Sequence, residues 1–223
     1  MSIKEQNWKK DWGRIKSYTD KDRTHKSDVA NIVSKFDFDC FIDCGPGSVG
    51  SEAWSVNDLT KAKIIGFEPQ NERFQMLKDN NYPGDLHNIG VGEVEGKVEG
   101  LMGFEGGKSD FWLNGDDELV GTEYKKFEID LTTIDKILEG KDYKKVFIWG
   151  DIEGAELLMI KGAIKSLEKG LICGFNLELR DYKASKGHCT AQEVIDFLSQ
   201  YNIESITPRK IQGSHKDFLF KLK

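Results

Sequence analysis

The sequence CFIDCGPGSVG (residues 40–50) joins a short apolar segment to an aspartate and then to three glycines in the spacing G-x-G-x-x-G. The apolar segment predicts a buried β-strand, and the residues from Ser48 onwards predict the first turns of a helix. A strand that enters a glycine-rich turn and then a helix is typical of α/β proteins that bind a nucleotide-like cofactor. Glycines let the backbone approach a ligand closely, and the first helical turn offers free N–H groups.

The glycine spacing alone fits two cofactors, a dinucleotide and S-adenosylmethionine. Asp43, two residues before the first glycine, distinguishes between them. A dinucleotide would bring its pyrophosphate to this turn, where a carboxylate would repel it. S-adenosylmethionine has no phosphate, and its ammonium and sulfonium groups are cationic, so an aspartate is favourable. The loop therefore favours S-adenosylmethionine.

The composition is that of one globular α/β domain. The chain has 223 residues, of which 38% are hydrophobic and 31% are charged, and its net charge is −6. Nucleic-acid binders usually carry a basic surface instead. No apolar run approaches the roughly 20 residues of a membrane helix, and the N-terminus lacks the core of a signal peptide. We therefore expect a cytoplasmic protein with neither nucleic-acid nor membrane partners.

The cysteines have neither the C-x-x-C spacing nor the spacing of a zinc site, and two of them lie in predicted buried strands. Reduced thiols are the usual state of such cysteines in an intracellular protein, so we expect no disulfide. The four residues are Cys40, Cys44, Cys173 and Cys189.

We divide the chain into an N-terminal helical segment, residues 1–37, and a cofactor-binding domain, residues 38–223. Trp8, Trp12 and Ile15 recur at helical spacing, which predicts an amphipathic helix on the body of the protein. This helix either packs on the domain or covers the substrate side of the site.

The domain is predicted to contain seven core strands, of which five alternate with helices and the last two form a hairpin. Thr190 and Glu193 have the spacing of a capping box at the start of the last helix. Alternating strands and helices predict a mostly parallel sheet, which binds ligands outside the carboxyl ends of its strands. The residues at five such ends are Asp43, Glu68, Gly90, Asp151 and Glu178.

Glu68 ends the second predicted strand, just before Pro69, at about 20 residues from the glycine loop. A carboxylate at this distance can accept hydrogen bonds from both hydroxyls of a ribose. The alternative is a solvated glutamate at a strand end.

Three motifs resemble those of the FkbM family of S-adenosylmethionine-dependent methyltransferases. They are the loop of residues 43–50, Gly66-Phe67-Glu68-Pro69, and Gly150-Asp151-Ile152-Glu153-Gly154-Ala155-Glu156. The second and third are the specific ones, and the resemblance extends over residues 38–222.

The resemblance implies a class I methyltransferase (Rossmann-like) fold, an α/β fold with a seven-stranded, mostly parallel sheet and an antiparallel last strand. It implies methyl transfer from S-adenosylmethionine, with S-adenosylhomocysteine as product, to a hydroxyl of a sugar, a glycan or a small metabolite. The methionine end would lie at the glycine loop, the ribose at Glu68 and the adenine at the turn of residues 90 and 91. The predicted cofactor-binding residues are Asp43, Gly45, Pro46, Gly47, Ser48, Gly50, Glu68, Pro69, Gly90 and Val91.

Trp149 departs from the family pattern, which often has a lysine two residues before the aspartate of the third motif. An aromatic side chain at this position could stack on a sugar, or it could fill the core.

Asp151 and Glu153 are candidates for the base that accepts the hydroxyl proton, because the acceptor should enter beside them. They could instead cap the N-terminus of the following helix. His188 and His87 are further candidates, since histidine titrates near neutral pH. Asp151, Glu153 and Glu178 together could hold a divalent cation, although we do not favour a metal.

Two other functions remain open at this point. The first is an NAD-dependent oxidoreductase that uses the same glycine loop, and the second is a non-catalytic binding protein that has kept the fold. Asp43 and the lack of a second, substrate-binding domain argue against the oxidoreductase.

Overall fold

The computed structural model describes residues 23–103, 111–113, 124–183, 188–207 and 216–223. The strands are β1 Cys40–Cys44, β2 Lys63–Phe67, β3 Asp85–His87, β4 Gly90–Val91, β5 Gly96–Gly103, β6 Phe111–Leu113, β7 Tyr124–Thr132, β8 Val146–Gly150, β9 Ile172–Leu179, β10 Ile203–Ser205 and β11 Lys216–Leu222. The helices are α1 Arg23–Val33, α2 Ser51–Leu59, α3 Asn71–Asp79, α4 Ile134–Leu138, α5 Glu156–Lys161, α6 Ile164–Glu168 and α7 Ala191–Ser199.

The main sheet has seven strands in the order β3-β2-β1-β8-β9-β11-β10. The pairs that join β3, β2, β1, β8 and β9 are all parallel. The last strand, β11, is antiparallel to both of its neighbours. The predicted seven-stranded, mostly parallel sheet with an antiparallel last strand is therefore confirmed.

Helices cover both faces of this sheet because its strands are apolar on both sides. Ile42 and Ile148 face one apolar cluster, to which α5, α6 and α7 contribute Met159, Leu167 and Leu198. The opposite face packs against α1, α2 and α3. Its buried members include Val29, Val33, Phe41, Ala53, Val56, Leu77, Phe147 and Trp149.

A second sheet, inserted between β3 and α4, has the order β4-β7-β5-β6. β7 is antiparallel to β5 and parallel to β4. Ile129 and Leu131 of β7 pack against Ile152 and Ala155, which follow β8. This contact brings the inserted sheet to the carboxyl edge of the main sheet.

The helix after the glycine loop begins at Ser51, three residues later than predicted. Gly50 has φ +64°, a left-handed conformation that interrupts the helix on its N-terminal side. Gly45 and Gly47 also have positive φ, so the loop is longer than the sequence pattern indicated.

The predicted helix around Trp8, Trp12 and Ile15 lies outside the described residues. From Arg23 onwards the N-terminal segment forms α1, whose Val29 and Val33 pack against β1 and β8. The division of the chain at residues 37 and 38 stays a prediction.

All four cysteines are buried and have free thiols. Across the described ranges, no helix is both long enough and apolar enough for a membrane span.

The capping box of α7 provides a test of the fold. Thr190 accepts a hydrogen bond from the backbone N–H of Glu193, and the Glu193 carboxylate accepts one from the backbone N–H of Thr190. Thr190→Ala should lower the free energy of unfolding by about 1 kcal/mol because it exposes an unpaired helix N–H. Urea denaturation measures the change. Gln192→Ala, in the same exposed first turn, is the control and should change it by less than about 0.5 kcal/mol. An equal loss in the two variants would contradict the capping role.

Candidate active site

A cleft that is open to solvent lies at the carboxyl ends of β1, β2 and β8. The inserted sheet closes one side through Ile129 and Leu131. The lining residues are Gly45, Phe67, Glu68, Pro69, Gln70, Arg73, Gly90, Val91, Ile129, Leu131, Asp151, Ile152, Glu153 and Ala155.

The glycine loop forms the floor between β1 and α2. At Gly45 (φ +86°) a Cβ would collide with the backbone carbonyl of Asp151, so only glycine fits. At Gly47 (φ +63°) a Cβ would meet no atom of the described residues within 4 Å, so this part of the loop borders open space. The Gly50 N–H donates to the Pro46 carbonyl at 2.9 Å and closes the turn.

Glu68 directly follows β2, and its side chain faces the cleft although the residue is only 2% exposed. Its Oε1 accepts a hydrogen bond from the backbone N–H of Gln70 at 2.9 Å, which fixes the carboxylate. Burial raises the pKa of Glu68 to about 7, while the positive charge of Arg73 acts in the opposite direction.

Asn88 holds the Glu68 segment in place and was not predicted as a site residue. Its Nδ2 donates to the backbone carbonyls of Glu68, at 2.9 Å, and Pro69, at 3.2 Å. The contact joins the segment after β2 to the segment after β3, and it brings Gly90 and Val91 into the same wall of the cleft. A local sequence signal for this contact is absent because its partners are about 20 residues apart.

Asp43 is buried under the glycine loop and does not line the cleft described above. Tyr82 donates a hydrogen bond from its hydroxyl to Asp43 Oδ2 at 2.9 Å. Burial, followed by the charge of Glu52, raises the pKa of Asp43. A role for Asp43 at the methionine end of a cofactor stays a prediction.

The loop of residues 151–155 forms the wall opposite Glu68. Glu156 is fully buried, and its Oε1 accepts hydrogen bonds from the N–H groups of Ile152 and Gly154, both at 3.2 Å. Glu153 has φ +56°, which is uncommon for a residue with a side chain and indicates local strain. Glu156 is therefore the internal support of this loop.

Asp151 and Glu153, the two predicted bases, have different surroundings. Glu153 Oε2 forms an ion pair with Arg180 at 2.6 Å, so its charge is already paired. Asp151 is exposed to solvent, and no ion pair to it is present in the described part of the chain. Reduced hydration of its carboxyl group, and then the nearby charges of Glu178 and Glu153, raise the pKa of Asp151.

The carboxylates of Asp151, Glu153 and Glu178 approach one another so that one oxygen of each lies within 4.8 Å of the others. Such a group could hold a divalent cation. Arg180 already supplies a positive charge to Glu153 at this point, which reduces the need for a metal.

His188 is buried against the 151–155 loop. A Cβ at Gly154 would lie 2.6 Å from the His188 ring, so the ring packs on the loop backbone. Neither ring nitrogen has a hydrogen-bond partner among the described residues. Burial and the charge of Arg180 lower the pKa of His188 to about 4. His87, the other predicted histidine, is exposed and stacks on Phe67 with ring centroids 5.3 Å apart.

Trp149 belongs to the core rather than to the cleft. It is buried among residues that face α1 and α2, and its ring centroid is 6.5 Å from that of Phe41. Core filling accounts for this side chain, and a stacking role toward a sugar stays a prediction.

Residues 43–204 match the family model described as "Methyltransferase FkbM domain". The chain belongs to the FkbM methyltransferase family. The resemblance drawn from the three motifs is thereby confirmed, and S-adenosylmethionine is the cofactor of this methyltransferase class. The strand order of the main sheet is that of the class I methyltransferase fold.

Solved structures with a similar fold share little sequence with the FkbM chain. A TehB-like SAM-dependent methyltransferase from Corynebacterium glutamicum is 10% identical, with 98% of this chain and 97% of that chain covered and a TM-score of 0.49. Magnesium protoporphyrin IX methyltransferase from Synechocystis, with bound SAM, is 9% identical over 90% and 79% of the two chains, with a TM-score of 0.48.

An rRNA methylase from Streptococcus thermophilus is 13% identical over 89% of this chain and 94% of that chain, with a TM-score of 0.46. No curated protein matches the sequence. At these identities and scores the likenesses carry no argument about the acceptor.

Glu156 gives a pH-dependent test of the site. Burial raises its pKa to about 7, above the value of about 4.3 in an unfolded chain. The folded state therefore keeps this proton to higher pH, and the resulting stability is lost as the pH rises from about 4.5 to about 7. Urea denaturation at several pH values should reveal this loss, and Glu156→Gln should reduce it by on the order of 1 kcal/mol or more.

Glu204→Gln is the matched control because Glu204 is exposed and pairs with Lys223. Its stability should vary with pH as in the unmodified protein. Identical pH profiles for Glu156→Gln and the unmodified protein would contradict a raised pKa at Glu156.

Proposed function

We propose that this FkbM-family protein transfers a methyl group from S-adenosylmethionine to a hydroxyl oxygen of a sugar, a glycan or a small metabolite. One observation carries the proposal. Glu68 and Asp151 stand at the ends of the two strands that flank β1, and both face one cleft over Gly45. Glu68 is suited to accept hydrogen bonds from a ribose, and Asp151 is suited to accept the proton of an acceptor hydroxyl.

The residues present fit the cofactor. Glu68 has one oxygen fixed by the Gln70 N–H, and its Oε2 receives no hydrogen bond from the described residues. Asp43 likewise has Oδ2 bonded to Tyr82, while its Oδ1 has no donor within the described ranges. These two oxygens would accept hydrogen bonds from the ribose and from the ammonium group, and the loop borders open space at Gly47.

When bound, S-adenosylmethionine would supply a methyl group on a sulfonium: the acceptor oxygen would bond to the methyl carbon as the carbon–sulfur bond breaks, and sulfur would keep the electron pair of that bond. We assign the hydroxyl proton to the carboxylate of Asp151, which lines the cleft. The pKa of an ideal catalytic base lies near the working pH, and the raised pKa of Asp151 is closer to that value than the pKa of an ordinary aspartate is.

Glu153 and His188 are less suited to accept the proton. The Glu153 carboxylate is engaged by Arg180. His188 does not line the cleft, and its ring is packed on Gly154. We propose that both residues hold the 151–155 loop in position.

The charge of the cleft mouth supports an acceptor without phosphates. Asp151, Glu153 and Glu178 converge there, and Asp217 is directly opposite Glu178 on the neighbouring strand. Arg180 pairs with Glu153, which leaves the group with a net negative charge. An approaching polyanion would meet this negative field, whereas a neutral polyhydroxyl compound would not. The charge at the cleft mouth therefore favours a sugar or a small metabolite over a nucleic acid.

Membership of the FkbM family argues against the NAD-dependent oxidoreductase, which the glycine loop alone left open. The non-catalytic binding protein differs from our proposal in a measurable way, since it would bind S-adenosylmethionine without methylating any acceptor.

Glu68→Ala tests the cofactor site. The variant loses a charge-assisted hydrogen bond to the ribose, so the Kd for S-adenosylhomocysteine should rise by roughly 10- to 100-fold. Isothermal titration calorimetry measures it. Glu72→Ala, at an exposed position in the first turn of α3, is the control and should bind like the unmodified protein. Unchanged affinity in Glu68→Ala would refute the ribose assignment.

Asp151→Asn tests the base. With methyl-labelled S-adenosylmethionine and a panel of sugars, hydroxylated metabolites and RNA, we expect labelling of a sugar or metabolite by the unmodified protein. On that acceptor, Asp151→Asn should lower kcat by on the order of 10²- to 10⁴-fold and leave cofactor affinity nearly unchanged.

Glu153→Gln is the comparison and should affect kcat less than Asp151→Asn does. Full activity of Asp151→Asn would move the base elsewhere. Labelling of RNA, with no labelled sugar or metabolite, would overturn the proposed acceptor class.

A further inference from the structure

Gln70 is a polar side chain on the cleft wall whose carboxamide is not accounted for by the fold. The residue is only 4% exposed and lines the cleft beside Glu68 and Arg73. It occupies the N-cap position of α3, yet its side chain does not cap the helix. Its backbone N–H donates a hydrogen bond to Glu68 Oε1, and this bond fixes the position of the Gln70 backbone at the cleft wall.

The Gln70 carboxamide has no hydrogen-bond partner within the parts of the chain that the structure describes. A carboxamide carries two N–H donors and one carbonyl acceptor. The carboxamide atoms are open to the cleft, so a ligand that displaces water there has to replace the hydrogen bonds of that water. Because the side chain borders the cleft, a bound ligand is the natural source of its partners.

The surroundings of Gln70 indicate which part of a ligand it meets. One wall of the cleft is apolar and consists of Phe67, Pro69, Gly90 and Val91. Because Gly90 has no side chain, the wall leaves room for the face of a flat aromatic base. The free oxygen of Glu68 is the better acceptor for ribose hydroxyls, because the Gln70 backbone orients that carboxylate. The two side chains can therefore bind different parts of one adenosine.

We propose that the Gln70 carboxamide recognises the adenine base of the cofactor, by accepting from its 6-amino group and donating to a ring nitrogen. A glutamine can form this pair of hydrogen bonds with adenine in a single plane. The inference rests on the proposed function, since it requires the cofactor to occupy this cleft. It makes Gln70 the residue that selects the base, while Glu68 selects the sugar.

The test compares three ligands by isothermal titration calorimetry. They are S-adenosylhomocysteine, S-inosylhomocysteine, in which an oxo group replaces the 6-amino group, and 2′-deoxy-S-adenosylhomocysteine. The unmodified protein should prefer S-adenosylhomocysteine to each of the other two by at least about tenfold. Gln70→Ala should reduce the preference for adenine over hypoxanthine to less than about threefold and keep the preference for the 2′-hydroxyl.

Matched variants separate the two roles. Glu68→Gln should show the opposite pattern, with the preference for the 2′-hydroxyl reduced and the preference for adenine kept. Gln75→Ala is the control, because Gln75 is exposed on the same helix and donates to Asp79. Gln70→Leu keeps the bulk of the side chain without its hydrogen bonds, and it should reproduce the Gln70→Ala result if that variant does not fold.

Unchanged base preference in Gln70→Leu would overturn the inference, as would a loss of the 2′-hydroxyl preference alone. Failure of the unmodified protein to bind any of the three ligands would refute the proposed function itself, and with it this role for Gln70. The two failures are therefore distinguishable.

Discussion

The close contact between Gly45 and the backbone of Asp151 is the constraint on which the site depends. A side chain at Gly45 would collide with the Asp151 carbonyl, and the Asp151 N–H in turn donates to the Cys44 carbonyl at 3.0 Å. The Gly45 N–H donates to the Phe67 carbonyl at 3.1 Å on the other side. These contacts hold the carboxyl ends of β1, β2 and β8 side by side at the same edge of the sheet. Glu68 and Asp151 consequently face the same cleft from opposite sides.

The loop that carries Asp151 is strained, and buried polar groups support it. Glu153 adopts a left-handed conformation, Gly154 has φ +101°, and His188 fills the space against Gly154. Glu156 accepts two backbone hydrogen bonds from inside the loop. Residues in unfavourable conformations persist only where the surrounding structure holds them, and they concentrate at functional sites. The motif Asp-Ile-Glu-Gly-Ala-Glu is therefore a folding requirement as well as a set of chemical groups.

Local sequence signals predicted those features whose partners lie close together in the chain. The capping box at Thr190 and Glu193 formed as expected, and the alternation of strands and helices predicted the main sheet. The start of α2 was misplaced because the left-handed conformation of Gly50 is not visible in the hydrophobic pattern. Individual side-chain contacts between distant residues could not be predicted. The Arg180–Glu153 ion pair and the contact of Asn88 with the Glu68 segment depend on the relative positions of separate strands.

The most direct test of the account is a crystal structure of the protein with S-adenosylhomocysteine. In that structure the ribose hydroxyls should lie within about 3 Å of the Glu68 carboxylate. The base should pack against Val91, and the sulfur should face the Asp151 side of the cleft. A ligand bound at another surface, or a ribose turned away from Glu68, would contradict the account.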